Sequence, residues 1–314
     1  MSYRFETVIF VRVIAAFVLS SRVSGGCAIS TDNFSETSTW KVLNDAVRHC
    51  RLVLFTGLPA SGKSFLLREA VLIAKTAERR VKMIRWDIAL APFQEERILA
   101  KYPDVVDGSH PIVRRAAGHW GRQSIALWLE KNSDPTEIII GEVPIVGNRY
   151  SEFVQTLPDQ AEQVLASDSA AFFYPVPTPE VLEKLEAIRR ATFAKPQHPH
   201  EAKDAPPATM DLAWRLTHEK ALQLGLVAPD DVDAHGKYSE IVYRRFFDHL
   251  LQHRVSRALE VDAIYSGSGS AHDLASGFTE LIATPTDAAS AIAEVEMMMS
   301  AEEAAQAVQD WYKV

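Results

Sequence analysis

A glycine-rich run that ends in a lysine and a serine has the clearest chemical meaning in this sequence. The run reads Gly57-Leu58-Pro59-Ala60-Ser61-Gly62-Lys63-Ser64 and fits the spacing G-x-x-x-x-G-K-[ST]. Glycines in such a loop let backbone N–H groups turn toward phosphate oxygens at the start of a helix. We expect Lys63 to reach the β- and γ-phosphates of a nucleoside triphosphate and Ser64 to ligate Mg²⁺. With the adjoining Phe65, this run is the expected binding site for ATP and Mg²⁺.

Two carboxylates end apolar runs further along the chain. Asp87 ends the predicted strand at residues 81–87, and Glu142 ends the strand that contains three consecutive isoleucines. Asp87 could accept the proton of an acceptor hydroxyl during phosphoryl transfer, or it could instead cap a following helix. Glu142 could hold Mg²⁺ through water, contact the acceptor, or simply end its strand. We therefore treat both as candidate catalytic residues, and Glu142 also as a candidate metal ligand.

Arginines supply the remaining candidates. Arg189 and Arg190 precede a polar, proline-rich segment at residues 194–207, which indicates a loop. On a lid, such arginines could close over a triphosphate and stabilise the transferring phosphoryl group, or they could be a solvated helix end. Arg149 follows the isoleucine run and is a weaker candidate for the acceptor site.

Elements that could position these residues follow from the alternation of apolar runs with amphipathic segments. We expect a mainly parallel five-stranded sheet with helices on both faces and a helical lid, which is an α/β three-layer sandwich. The ligand then lies at the carboxyl ends of the strands. The predicted strands are residues 52–55, 81–87, 137–143, 170–176 and 261–265, and the predicted later helices are 93–101, 110–131, 209–225, 238–259, 286–297 and 301–312.

Composition limits the class of protein and leaves the N-terminus open. The 314 residues carry a net charge of −8, which argues against an extensive nucleic-acid-binding surface. Two cysteines offer neither a disulfide framework nor a metal site, so a reducing, cytoplasmic location is expected. Residues 8–19 are apolar within a signal-like segment at 1–30, and membrane association follows only if they are a real anchor. The segment could be an over-extended start or dispensable leader, a membrane-associated or organelle-targeting segment, or a secretion signal, in decreasing order of preference.

The order of these motifs resembles the P-loop kinase group, which includes nucleoside monophosphate, gluconate, shikimate, polynucleotide and zeta-toxin-like kinases. The resemblance spans about residues 50–295 and is specific mainly at Gly-Leu-Pro-Ala-Ser-Gly-Lys-Ser. It implies one P-loop kinase-like domain over 31–314 with a lid insertion at about 180–235. It also implies that Asp87 is the acceptor base, that Arg189 or Arg190 is the lid arginine, and that residues 266–270 lie beside the adenine. The chain departs from the group at Gly141, where the usual pattern has an aspartate.

We therefore expect a Mg-ATP-dependent phosphotransferase that acts on a small-molecule or nucleotide-like acceptor. One alternative is a P-loop ATPase or GTPase switch, and another is a kinase acting on a protein or nucleic-acid end. A switch would carry an Asn-Lys-x-Asp run or a hydrophobic run ending in Asp-Glu, and the sequence has neither. The acceptor, the choice between ATP and GTP, and the oligomeric state stay open at this point.

Overall fold

Parallel strands build a single sheet in the computed structural model, which describes residues 33–105, 108–196, 206–231, 238–265 and 278–314. The strands of these ranges are β1 (Leu52–Phe55), β2 (Arg80–Arg85), β3 (Glu137–Glu142), β4 (Ala170–Pro177), β5 (Ser256–Val261) and β6 (Phe278–Glu280). Their order is β5-β4-β1-β3-β2-β6, and every neighbouring pair is parallel. Strand β1, which precedes the glycine-rich run, is therefore central in the sheet and buried along its whole length.

Helices connect the strands, and several of them begin at hydroxyl-bearing residues. They are α1 (Ser38–His49), α2 (Lys63–Thr76), α3 (Trp86–Ala89), α4 (Glu96–Lys101), α5 (Pro111–Lys131), α6 (Gln160–Leu165), α7 (Pro179–Ala194), α8 (Pro207–Gln223), α9 (Glu240–Leu250), α10 (Pro285–Met298) and α11 (Ala301–Gln309). The Thr37, Thr178 and Ser239 side chains accept N–H bonds at the starts of α1, α7 and α9. Such caps satisfy the orphan donors of a first turn.

Two apolar layers lie on opposite faces of the sheet. Val53 and Phe55 pack with apolar residues of α1 and α2, whereas Leu52 and Leu54 join the core built by α5 and α8 to α11. Alternate residues of a strand point to opposite faces, so a strand covered on both sides is apolar throughout. The expected α/β sandwich of the P-loop NTPase type, with helices on both faces, is confirmed.

The sheet differs from the prediction in its edge strands. Six strands are present in the described residues where we expected five, because the three-residue β6 pairs with β2. Strand β5 covers Ser256–Val261 rather than 261–265, and the helix expected at 238–259 ends at Leu250. Both edge strands contain exposed polar residues, and β5 has a single fully buried residue, so neither shows the apolar run of a central strand.

An ion cluster with two buried arginines and two partly buried acids holds α5 and α6 to the start of β5. The Arg122 side chain donates five hydrogen bonds, to Asp159, to Glu162 and to the carbonyls of residues 152 and 155. Arg254 also donates five, to Glu162 and to three backbone carbonyls. Since a guanidinium has five N–H donors, both arginines are saturated by the protein. This set, Arg122, Asp159, Glu162 and Arg254, is called the saturated cluster below.

Several sequence expectations fall outside the described residues. These are the signal-like segment 1–30, parts of the lid at 197–205 and 232–237, and the loop at 266–270 expected beside the adenine. Of the expected lid, the structure describes helix α7, helix α8 and a short turn at Pro229–Asp231. Across the described ranges, no helix combines the length and apolarity that a membrane crossing requires.

Candidate functional site

The loop between β1 and α2 has the backbone that its glycines predict. Gly57 and Gly62 have φ angles of 131° and 100°, and Ala60 has a φ of 61°. The Ser61 hydroxyl donates to the carbonyl of Leu58 at 2.8 Å, which closes the turn. Gly62 is the N-cap of α2 and contributes no side-chain bond, so the first N–H groups of the helix receive no cap from that residue. Such N–H groups are suited to an anion.

The residues that pack against the loop from α9 and β4 explain why residue 57 is glycine. A Cβ atom there would lie 2.7 Å from the Tyr243 hydroxyl of α9 and 3.2 Å from Cδ of Pro175 in β4. Tyr243 is buried, and its neighbours include Tyr174 and Phe247 at ring-centroid distances of 6.0 and 4.5 Å. The loop therefore rests on a rigid aromatic layer, because neither the tyrosine nor the strand beneath it can move away easily.

Lys63 lies across the inside of this loop. Its Nζ donates to the carbonyl of Leu58 at 2.7 Å and lies 3.4 Å from Oε1 of Glu142. Burial lowers the pKa of Lys63, while the Glu142 carboxylate opposes that shift. The charge of Arg189 lowers the same pKa further, and that of Asp87 raises it. The structure thus brings together the lysine, both candidate acids and one of the candidate lid arginines.

Asp87 lies in the first turn of α3, directly after β2. It is not the helix cap, because Arg85 occupies the N-cap position. The side chain is open to solvent although protein atoms crowd it on several sides, and this partial desolvation is the main reason that its pKa is raised. The negative charge of Glu142 raises it further, against the charges of Arg85 and Lys63. A solvent-accessible carboxylate with a raised pKa is suited to general-base chemistry.

Glu142 occupies the last position of β3, level with the ends of the neighbouring strands. In the strand register it lies opposite Phe55 of β1 and Arg85 of β2. The preceding Gly141 stands where the kinase-group pattern has aspartate. A Cβ atom at residue 141 would lie 2.5 Å from the backbone oxygen of Ile84. Position 141 therefore has no room for a side chain, and the acid is carried by the next residue.

The two arginines of α7 differ in their surroundings. Arg189 is half-buried, and its charge acts on Lys63. Arg190 is exposed and pairs with Glu186 of the same helix, one turn away, at 3.1 Å. Helix α7 therefore presents Arg189 to the phosphate loop, whereas Arg190 has the surroundings of a surface residue.

Arg149 lies closer to the other candidate residues than its place in the sequence indicates. It is half-buried; burial lowers the pKa of its guanidinium, and the charge of Asp87 opposes that shift. Sequence spacing could not show this, because Asp87 follows β2, Arg149 lies in the turn after β3, and the two come together only when β2 and β3 pair. Tyr243 is also far from the loop in the sequence, so no local pattern predicts that it packs against the loop.

The donor set around the loop fits Mg²⁺ that arrives with a triphosphate. Ser64 lies in the first turn of α2, and Glu142 lies beside Lys63. In the part of the chain that the structure describes, no three His, Cys, Asp or Glu residues come together as a metal site. Mg²⁺ in phosphate-transfer sites is usually held by one or two protein oxygens, water and substrate phosphates, so it needs no such cluster.

Comparison with known proteins adds no family to this geometry. No model of a known protein family matches the chain, and no curated protein has a similar sequence. The functional conclusion therefore rests on the site itself.

Proposed function

We propose that this protein is a Mg-ATP-dependent phosphotransferase that moves the γ-phosphoryl group to a small-molecule or nucleotide-like acceptor. One observation carries the proposal: Asp87 is accessible to solvent, has a raised pKa, and lies close enough to Lys63 and Glu142 for their charges to act on it. A hydrolytic switch needs no second carboxylate with these properties beside its phosphate loop. An enzyme that deprotonates an acceptor does.

The phosphate loop and Lys63 bind the triphosphate in this proposal. The backbone N–H groups of residues 57–64 bind phosphate oxygens, and Lys63 exchanges the Leu58 carbonyl for the β- and γ-phosphates. Arg189 contributes positive charge from α7, where charge spreads over the transferring group. Ser64 and Glu142 are the side chains that would hold Mg²⁺, which supplies charge neutralisation at the phosphate oxygens.

Asp87 acts on the acceptor. The acceptor oxygen forms a bond to the γ-phosphorus while the bond from that phosphorus to the β–γ bridging oxygen breaks. The hydroxyl proton passes to the carboxylate of Asp87, and the products are the phosphorylated acceptor and ADP. Since ATP is the donor and Cys50 is a free thiol, we place the reaction in the cytoplasm.

The test is transfer of labelled γ-phosphate from ATP to a pooled library of hydroxyl-bearing metabolites. We expect Asp87→Asn to lower label transfer by roughly 100- to 10,000-fold while ATP binding is retained. Asp45→Asn is the matched control, because Asp45 is an exposed acid on α1 whose side chain pairs with His49 of the same helix.

Two outcomes would overturn the proposal. Release of free phosphate at a rate that no acceptor changes would indicate a hydrolase. A Lys63→Ala protein with unchanged affinity for ATP would show that the loop does not bind the triphosphate.

A further inference from the structure

The turn that follows β3 has an unusual backbone. Gly147, Asn148 and Tyr150 all lie in the left-handed region, with φ angles of 76°, 57° and 64°. Glycine and asparagine tolerate this region, but tyrosine rarely adopts it. Such conformations persist only where the surroundings enforce them, and they concentrate at functional sites.

Three contacts hold this turn in place. Arg114 of α5 donates to the carbonyl of Gly147 at 3.3 Å, and the Ser151 hydroxyl donates to Oδ1 of Asn148 at 2.5 Å. The Tyr150 ring packs edge-on against Trp86 with a centroid distance of 4.8 Å. Since Trp86 directly precedes Asp87, the turn and the candidate base share one support.

The consequence of this backbone is the placement of Arg149. Asn148 and Tyr150 on either side are fully buried, whereas the Arg149 side chain is half-buried. The guanidinium forms no hydrogen bond or ion pair with any residue that the structure describes. By contrast, Arg122 and Arg254 each donate five bonds to protein acceptors. Arg149 therefore keeps its full donor capacity next to Asp87.

Two further polar groups of the turn have unused capacity. Within the described ranges, the Tyr150 hydroxyl and Nδ2 of Asn148 are buried and have no hydrogen-bond partner. Burial raises the pKa of Tyr150, and the charge of Asp87 raises it further, which places the hydroxyl within electrostatic reach of that carboxylate. Buried polar groups are rarely left unsatisfied in native proteins, so two orphaned groups on the turn that carries the Arg149 guanidinium indicate a ligand.

We propose that this turn is the acceptor subsite, and that the acceptor carries a phosphate or carboxylate group that binds Arg149. The inference rests on the proposed function and adds the chemical class of its substrate. A planar guanidinium can bind either anion through two parallel N–H bonds. Fixing the anion at Arg149 brings a neighbouring hydroxyl of the same molecule to Asp87. Lys63 and Arg189 lie on the nucleotide side and leave Arg149 for the acceptor.

The first arm of the test measures anion binding by calorimetry. Inorganic phosphate and acetate are titrated separately into the full chain, with and without Mg²⁺ and a non-hydrolysable ATP analogue. We expect saturable binding to the wild type, and Arg149→Gln should weaken it roughly 10- to 100-fold for the preferred anion. Arg149→Lys keeps the charge and loses the paired donors, so its affinity should be intermediate. Arg48→Gln is the control, because Arg48 is exposed on α1 and its side chain donates a hydrogen bond to Asn44 of the same helix, away from the candidate site.

The second arm measures label transfer to matched acceptors. Ribose is compared with ribose 5-phosphate, and glycerol with glycerate, so that the phosphate and carboxylate sources are separated. We expect the anionic member of a pair to be preferred, and Arg149→Gln to raise its KM with a smaller change in kcat.

The outcomes separate this inference from the proposed function. Arg149-dependent anion binding without label transfer to any acceptor would remove the phosphotransferase and leave the anion subsite. Equal anion binding by the wild type and Arg149→Gln, or no saturable binding, would overturn the subsite. Both variants should unfold at the wild-type temperature, which excludes a folding defect as the cause.

Discussion

Two groups of charged residues lie within one domain and differ in how they are satisfied. In the saturated cluster, every N–H of Arg122 and Arg254 has a protein acceptor. At the candidate site, Arg149 has no acceptor among the described residues, and burial together with the charge of Glu142 raises the pKa of Asp87. The contrast separates charges that hold the fold from charges that are available to a ligand.

The pKa shifts of the acids follow the same division. Burial opposes ionisation of Glu162, but hydrogen bonds from Arg122 and Arg254 lower its pKa overall. Asp87 has the opposite net shift, because burial and Glu142 outweigh the nearby cations. An acid whose charge is stabilised by fixed partners contributes to folding, whereas an acid whose charge is destabilised is ready to take a proton.

The largest expected effect tests this division through stability. Arg122→Met should lower the free energy of unfolding by about 3–5 kcal/mol, because Asp159 and Glu162 lose a buried partner. Arg149→Met should change it by about 0.5 kcal/mol or less, since no protein bond is lost. Urea denaturation of both variants measures the difference. Equal losses of unfolding free energy in the two variants would mean that Arg149 also stabilises the fold, which would contradict the distinction between the two groups of charges.

A second, smaller effect concerns the backbone beneath each region. Gly141→Ala should cost about 1–3 kcal/mol, because its Cβ meets the backbone oxygen of Ile84. Gly118→Ala on α5 meets the carboxylate of the buried Glu152 instead, so it also costs stability. Only Gly141→Ala should reduce label transfer per folded molecule, because it moves the strand ends that hold Glu142 and Asp87. A similar loss of transfer in both variants would contradict the separation of the two regions.

The smallest expected effect is a shift of the pH profile. Asp87 must be ionised to accept a proton, so activity is lost as pH falls through its pKa, which is raised above that of an exposed aspartate. Glu142→Gln removes the negative charge that is the second cause of this shift. The acid limb of kcat/KM should therefore move to lower pH, although the overall rate falls. A limb that stays in place would show that Asp87 is not the titrating base.

The parts of the molecule predicted from sequence are those with a local signal. The loop at residues 57–64 is contiguous, and the central strands β1 and β3 are uninterrupted apolar runs. The edge strand β5 was misplaced because its exposed polar residues resemble an amphipathic helix. Arg149 has only a weak signal in the sequence, because it comes near Asp87 only when β2 and β3 pair. The sequence alone does not explain why residue 141 is glycine instead of aspartate. In the structure, the backbone oxygen of Ile84 occupies the space that a side chain at this position would need.

The contact between Gly57 and Tyr243 also bears on the order of events during synthesis. The phosphate loop leaves the ribosome early, whereas α9, which supports it from below, follows at residues 240–250. At about 5–20 residues per second, the interval is on the order of 10–40 s. During that time β4 and then α9 must arrive before the loop can rest on the aromatic layer. A nascent chain therefore carries the complete glycine-rich run before the loop has its aromatic support, and the C-terminal half determines when the candidate site is formed.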